Sequence, residues 1–221
     1  MKLVRKGTSP PSFDQWKAHA NADWTPSYGD LQNPEKHALH VALLVEQGWV
    51  CCYCGRAVSA SDSHIEHFRP QTHYGELALS HENMFASCIR GTAPGMPLHC
   101  GHAKSDRFDE ACAISPSDSG CEERFLYTLL GAISPTCRDD KAAAYMADLL
   151  KLDTPFLRNR REEVLQRTFD AEFLASVTEE ELRLLQHAFQ HRDAAGHSEN
   201  FGHVLARYAG QCLAAGWAVQ D

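Results

Sequence analysis

Apolar residues recur at helical spacing near the start of the chain and through its second half, but not in the stretch between. Leu39, Leu43 and Leu44 share one face of a segment that opens at Asn33-Pro34, a cap residue followed by proline at the first helical position. Gly48 is placed to end it, so a helix is expected to about Gln47. Upstream, Ser12 is placed to cap a short helix carrying Phe13 and Trp16, and Trp24-Thr25-Pro26 breaks the chain. From about residue 122 the period is helical again. Ala143, Met146, Leu149 and Leu150 lie between Asp139 and Leu152, and Leu157, Val164 and Leu165 follow Pro155 in a segment reaching about Phe173. Thr178-Glu179-Glu180-Glu181 is a capping-box sequence ahead of Leu182, Leu184, Leu185 and Phe189. Phe201, Val204, Leu205 and Tyr208 mark a last helix from about Asn200 to Gly216. These helices are expected to pack as a bundle.

The middle of the chain follows another pattern. Trp49-Val50-Cys51 and His64-Ile65-Glu66-His67 read as two short strands around the turn Ala60-Ser61-Asp62-Ser63, and Pro70 stops the second. A Gly/Pro-rich loop, Arg90 to Pro97, lies between Cys88 and Cys100, and residues 100–110 begin a helix or a turn. The resulting expectation is an α+β fold, mostly helical, in three parts: residues 1–48, 49–121 and 122–221. Neither an internal repeat nor a low-complexity tract is visible.

Composition narrows the class. With 43% hydrophobic and 23% charged residues among 221, the chain reads as an ordinary globular protein. Its basic start, Met1 to Lys6, leads into no apolar core of a signal peptide, and no apolar run reaches bilayer length. A cytoplasmic location with reduced thiols is the expectation, and nine cysteines, an odd number, then point to metal ligation rather than disulfides. The formal charge of −8 opposes a stand-alone nucleic-acid binder, which must neutralise phosphates. A nucleic-acid reading therefore needs a local basic patch, a metal or a partner.

Five of the nine cysteines and six of the thirteen histidines fall between Val50 and Lys104. Cys51-x-x-Cys54 has the spacing of a zinc knuckle, and Cys88 and Cys100 are the natural pair to close a tetrahedron. Cys52, one residue out of phase, is expected in the core. Cys112, Cys121, Cys137 and Cys212 are scattered and carry no metal expectation. Two spacings match other motifs by accident. His67 and His73 would complete a two-cysteine, two-histidine finger, but Pro70 breaks the helix that such a finger needs. His64-x-Glu66 resembles the start of a zinc-deaminase motif, whose Pro-Cys-x-x-Cys is missing downstream. What remains is the logic of a one-metal nuclease. Glu66 and His102 would bind Mg²⁺ or Mn²⁺, and His67 would deprotonate water. Asn83 would hold the loop or ring of His67. His67, Asn83 and His102 form the expected catalytic set, with His99 the alternative closing ligand. Lys104, Arg69 and Arg107 are candidates for phosphate contacts. His64 reads as structural or substrate-facing, and His73, His81, His187, His191, His197 and His203 as structural.

On these residues Val50 to Lys104 resembles an HNH endonuclease, a ββα-metal motif stiffened by a four-cysteine zinc site. Three stretches, Glu46 to Cys54, Ser63 to Pro70 and Cys100 to Lys104, resemble more narrowly the HNH proteins of Septu and retron-linked anti-phage systems (PtuB-like). The similarity extends to Leu149 to Arg158, and covers roughly residues 30–165. The resemblance implies DNA hydrolysis beside an ABC/SMC-like, PtuA-like ATPase, in some systems with a retron reverse transcriptase and its RNA–DNA hybrid, and no membrane. An RNA (tRNA) substrate and a non-catalytic zinc-stabilised adaptor are the competing expectations. The chain departs from the family pattern at Glu66, where Asp is common, and at Cys100-Gly101-His102, where the cysteine and histidine are usually adjacent.

Overall fold

Proline and small polar side chains decide where most helices begin. In the computed structural model, which describes residues 1–216, α1 spans Pro11–Ala18 with proline at its first position, so Ser12 lies inside the helix rather than capping it. Helix α2, Glu35–Gln47, buries Leu39, Leu43 and Leu44 and ends on Gly48 in the left-handed region, φ 66°. Trp49 also has positive φ, 60°, and the chain turns instead of extending. The expected strand at Trp49 to Cys51 is therefore absent, and Val50 makes a single bridge to Ala57.

Strand β1, Ser63–His67, pairs antiparallel with β2, Met84–Cys88, which sets Glu66 opposite Phe85 and His67 opposite Met84. All five residues of β2 are buried, so the strand shows no alternation to read from sequence. A short helix α3, Cys100–Lys104, packs on β2. A second hairpin follows where helix was expected: β3, Phe125–Tyr127, pairs with β4, Ile133–Pro135.

The C-terminal helices are α4, Lys141–Leu149, α5, Pro155–Thr168, α6, Ala171–Ser176, α7, Glu179–Gln190, and α8, Gly202–Ala214. Asp140, Thr154, Asp170 and Thr178 cap α4 to α7 through side-chain oxygens, and Thr178 and Glu181 form the capping box. The single segment expected from Pro155 to Phe173 is two helices, because the chain leaves helical geometry at Phe169 and Asp170 caps a new start.

One continuous core joins the three sequence segments, with Phe13 and Leu39 packed in the same cluster as Tyr53, Phe85, Leu157 and Tyr208. Arg161 of α5 is buried against this core. It donates to the Gly131 carbonyl at 2.7 Å and to the Leu152 carbonyl at 2.8 Å, and so fastens the β3–β4 turn to the helix. No helix among the described residues is long and apolar enough to cross a membrane.

Gly131 sits at φ 72°, and a side chain there would overlap the Arg158 carbonyl oxygen. Gly131→Ala is therefore expected to destabilise the protein by roughly 1–3 kcal/mol. Urea denaturation checks this, and an unchanged midpoint would mean that the hairpin does not rest on α5.

Candidate functional site

The four cysteines singled out by spacing converge. Cys51 and Cys54 lie on the turn after α2, Cys88 is the last residue of β2, and Cys100 is the first of α3. All four are buried, and their sulfurs lie within 4.8 Å of one another. The Cys54 and Cys88 sulfurs are 3.8 Å apart, the edge expected of a tetrahedron whose Zn–S bonds are about 2.3 Å. The Cys88 amide donates to Cys51 Sγ at 3.3 Å, as a thiolate acceptor requires. Burial opposes ionisation of Cys51, but hydrogen bonds from Cys100 and the other neighbouring thiols outweigh it and bring its pKa well below the usual range. Burial holds Cys100 well above that range, so the set cannot become four thiolates without a cation. These residues can hold a metal ion, and an all-sulfur, closed and buried set fits structural zinc.

The knuckle is also fixed from outside. The Phe201 amide donates to the Gly55 carbonyl and Asn200 Oδ1 accepts from the Ala57 amide, both at 2.9 Å. Gly55, at φ 75°, lies so close to the His203 ring that a side chain there would overlap it. Burial keeps His203 neutral by lowering its pKa well below the ordinary value.

Beyond the cysteines, β1 and α3 form two walls of a cleft of about 490 Å³, lined in part by His64, Glu66, His67, Gln71, Gly101 and His102. Glu66 is the buried charge at its base. Its Oε1 accepts from Tyr53 Oη at 3.1 Å and from Lys104 Nζ at 3.0 Å, while Oε2 faces His64 Nε2 at 3.4 Å. Burial alone would raise the Glu66 pKa, but His64 and Lys104 outweigh it, so the carboxylate is held below its usual value.

His67, the next residue of β1, also lines the cleft. Its Nε2 lies 3.0 Å from the Ala78 carbonyl, which can only accept, so the proton sits on Nε2 and the lone pair on Nδ1. The exposed Gln71 side chain donates to Nδ1 at 3.1 Å, and the Tyr28 ring meets His67 edge-on. Burial lowers the His67 pKa, which favours the neutral ring. A neutral imidazole with a fixed lone pair facing an exposed, displaceable amide can accept a proton from a cleft-bound molecule.

No protein-family model matches this chain, and no curated protein does.

The cations picked from sequence have other employment, while Asn83 holds the loop that follows His67, as was expected of it. Its amide brackets the Arg69 backbone, accepting from N at 2.8 Å and donating to O at 3.0 Å, and so clamps the loop that follows β1. Lys104 is no surface cation: its side chain is 2% exposed, and Nζ donates to Glu66, the His67 carbonyl and the Ser105 carbonyl. The charge of Arg69 is taken by Glu110, and Arg107 donates to the Ala103 and Leu149 carbonyls. Only Lys104 is enclosed by these contacts; Arg69 and Arg107 are tied at the surface, Arg69 by an ion pair whose side chains are 38% and 55% exposed. His99 lies on the sulfur side, with Nδ1 3.2 Å from Cys100 Sγ and its ring stacked on Phe156, so it is not a closing ligand for the cleft. His102 borders the cleft, with Nε2 3.0 Å from the Ile89 carbonyl. Glu66, His67 and His102 do not converge as the four sulfurs do, which are the only such metal-sized group of three or more among the described residues. Tyr53, Gln71 and the Ala78 carbonyl escaped sequence reading, because each acts through contacts that no local pattern encodes.

If the four sulfurs hold zinc, Cys54→Ser removes a ligand from a buried site and leaves the remaining thiols crowded. Loss of about one zinc per chain, with unfolding or aggregation, is the expected result. Full zinc content in that variant, measured by elemental analysis, would refute the assignment.

Proposed function

We propose that this protein is a metal-dependent endonuclease of the HNH type, hydrolysing phosphodiester bonds of DNA within an anti-phage complex that includes an ATPase partner. The observation carrying this reading is the adjacent pair on β1. Glu66 is a buried, ionised carboxylate, and His67 is held neutral with its lone pair on Nδ1 at the same cleft. A strand pair followed by a short helix on β2, stiffened by the four-cysteine cluster, is consistent with a ββα-metal arrangement.

In this mechanism Gln71 gives way and water takes its place at His67 Nδ1. The nitrogen accepts a proton, the water oxygen bonds to phosphorus, and the bond from phosphorus to the 3′ oxygen breaks. Glu66 Oε2, whose partner oxygen is already bonded to Tyr53 and Lys104, is the carboxylate oxygen left to hold a divalent cation. Such an ion, Mg²⁺ or Mn²⁺, would supply stabilisation of the charge that develops in the reaction. Asn83 acts as a positioning residue, since the loop it clamps carries both Gln71 and Ala78.

Phosphate binding passes to other cations. A groove of about 430 Å³ shares His64 and Ile65 with the cleft. Its lining includes Lys36, His37, His40 and Arg90 and no carboxylate, in a chain whose net charge is −8. A strand lying along it would meet two full positive charges before reaching Glu66. That is few, and the remaining positive field falls to the partner. A zinc-stabilised adaptor would need the four cysteines but gives no reason for an ionised Glu66 under an open cleft.

His67→Ala is expected to keep the fold, the zinc and partner assembly while losing about 10²–10⁴-fold in cleavage rate, the usual cost of removing a general base. The assay uses plasmid DNA and total RNA, with and without an ATPase of the proposed partner type. Normal cleavage by His67→Ala in the reconstituted complex would overturn the mechanism, and cleavage of RNA alone would move the substrate from DNA to RNA.

A further inference from the structure

Besides His67 the cleft holds two imidazoles, His64 and His102, to which the mechanism above gives no task, and His64 is the one beside the carboxylate. It lies two residues before Glu66 on β1, so both side chains emerge on the same face of the strand. His64 Nδ1 is 2.6 Å from the Ile89 carbonyl and donates to it, so Nε2 is the nitrogen turned to Glu66 Oε2: it donates there when the ring is cationic, and a bound metal ion would replace that proton. A backbone carbonyl bonded to one ring nitrogen is the usual device for presenting the other to a metal. Ile89 itself has φ 70°, a conformation that β-branched residues rarely adopt and that puts this carbonyl where His64 and His102 both reach it.

Gly101 supplies the third observation. A Cβ built there would overlap Glu66 Oε2 and lie 2.8 Å from His64 Nε2. Its φ is not in the region that favours glycine, so the backbone does not require glycine here. The space in front of the carboxylate and the imidazole does. The two facing atoms are 3.4 Å apart, close to the roughly 3 Å that separates adjacent ligands around an ion with bonds of about 2.1 Å.

We infer that His64 Nε2 and Glu66 Oε2 together bind a divalent cation in the space that Gly101 leaves open. One nitrogen and one carboxylate oxygen favour Mn²⁺ or a similar transition metal over Mg²⁺, which prefers oxygen alone. His64 thereby joins Glu66 as a ligand, and His102, whose Nε2 is bonded to the Ile89 carbonyl, is the residue against which the assignment is tested. The ion's use in catalysis rests on the nuclease reading; its binding does not.

The experiment titrates Mn²⁺ into zinc-loaded protein and follows the free ion by electron paramagnetic resonance. The wild type should bind one Mn²⁺ beyond its zinc. His64→Ala, Glu66→Gln and Gly101→Ala should each weaken that binding by at least about tenfold with zinc retained. Spin-echo spectra of the bound ion should show nitrogen coupling from an imidazole, lost in His64→Ala and kept in His102→Ala. Zinc content and circular dichroism identify a variant that fails to fold, and Gly101→Ala approaches the same space from α3 if His64→Ala does fail. Wild-type affinity in folded His64→Ala overturns the inference, as does nitrogen coupling that disappears in His102→Ala alone, or a wild type that binds no Mn²⁺. Mn²⁺ bound through His64 by a protein that cleaves neither DNA nor RNA would support this site and remove the nuclease function.

Discussion

Four sulfurs must reach one point, and the pieces of chain that carry them are distant in sequence. Cys88 ends β2 and Cys100 begins α3, so the cluster sets the separation of strand and helix whatever the eleven residues between them do. Strand β1 is hydrogen-bonded to β2, and Glu66 therefore arrives opposite Gly101 as a consequence of where the sulfurs meet. The approach is strained. Ile89 and Cys100, flanking the loop, both have positive φ, at 70° and 57°. Such residues cost of order 1–3 kcal/mol each, whereas a structural zinc site contributes apparent binding energies of about 10–16 kcal/mol. Binding of a metal ion by the four sulfurs would be large enough to hold that geometry.

What could be read in advance was whatever depends on near neighbours. Gly48, Pro155 and the Thr178 capping box act within one turn, and each ends or starts its helix where the local pattern says. The cysteine set was legible because a knuckle spacing and a Gly/Pro loop leave few other ways to close a tetrahedron. Strand β2 was hidden because both its faces are buried, and β3 and β4 because three residues are too few to show a period. The role of His64 was hidden for another reason. Its orienting partner is a main-chain carbonyl at Ile89, twenty-five residues away, and a backbone atom leaves no mark on residue identity.

The same blindness explains the cations. Lys104, Arg69 and Arg107 are conspicuous because they stand among the metal-site residues in sequence, yet each is neutralised or bonded by the fold. Lys36 and Arg90 belong to α2 and to the loop after β2, and only the folded chain brings them to one groove beside His64. Proximity in sequence selects residues that can stabilise the local turn. Proximity in space decides which cations line one groove, and Arg90 does so while its guanidinium also donates to the Ala60 carbonyl.

Among the leftover features, the Glu66–Lys104 pair asks most for an explanation. Both side chains are almost fully enclosed, 9% and 2% exposed, and taking two such charges out of water costs several kcal/mol each. Lys104 recovers part of that cost by donating to two carbonyls besides the carboxylate, and Tyr53 adds a further bond to Oε1. Yet an apolar pair of the same volume would serve the fold as well or better, since buried ion pairs are seldom net stabilising against well-packed hydrophobes. Stability therefore does not account for an ionised carboxylate in this position. The division of labour between its oxygens does: Oε1 is saturated and anchors the group, so that Oε2 is presented in a fixed direction, beside an imidazole and in front of the one residue of α3 that has no side chain. In the absence of an ion that oxygen meets only His64 Nε2, at 3.4 Å, and the divalent-cation site proposed above would give it a use that a folding core does not.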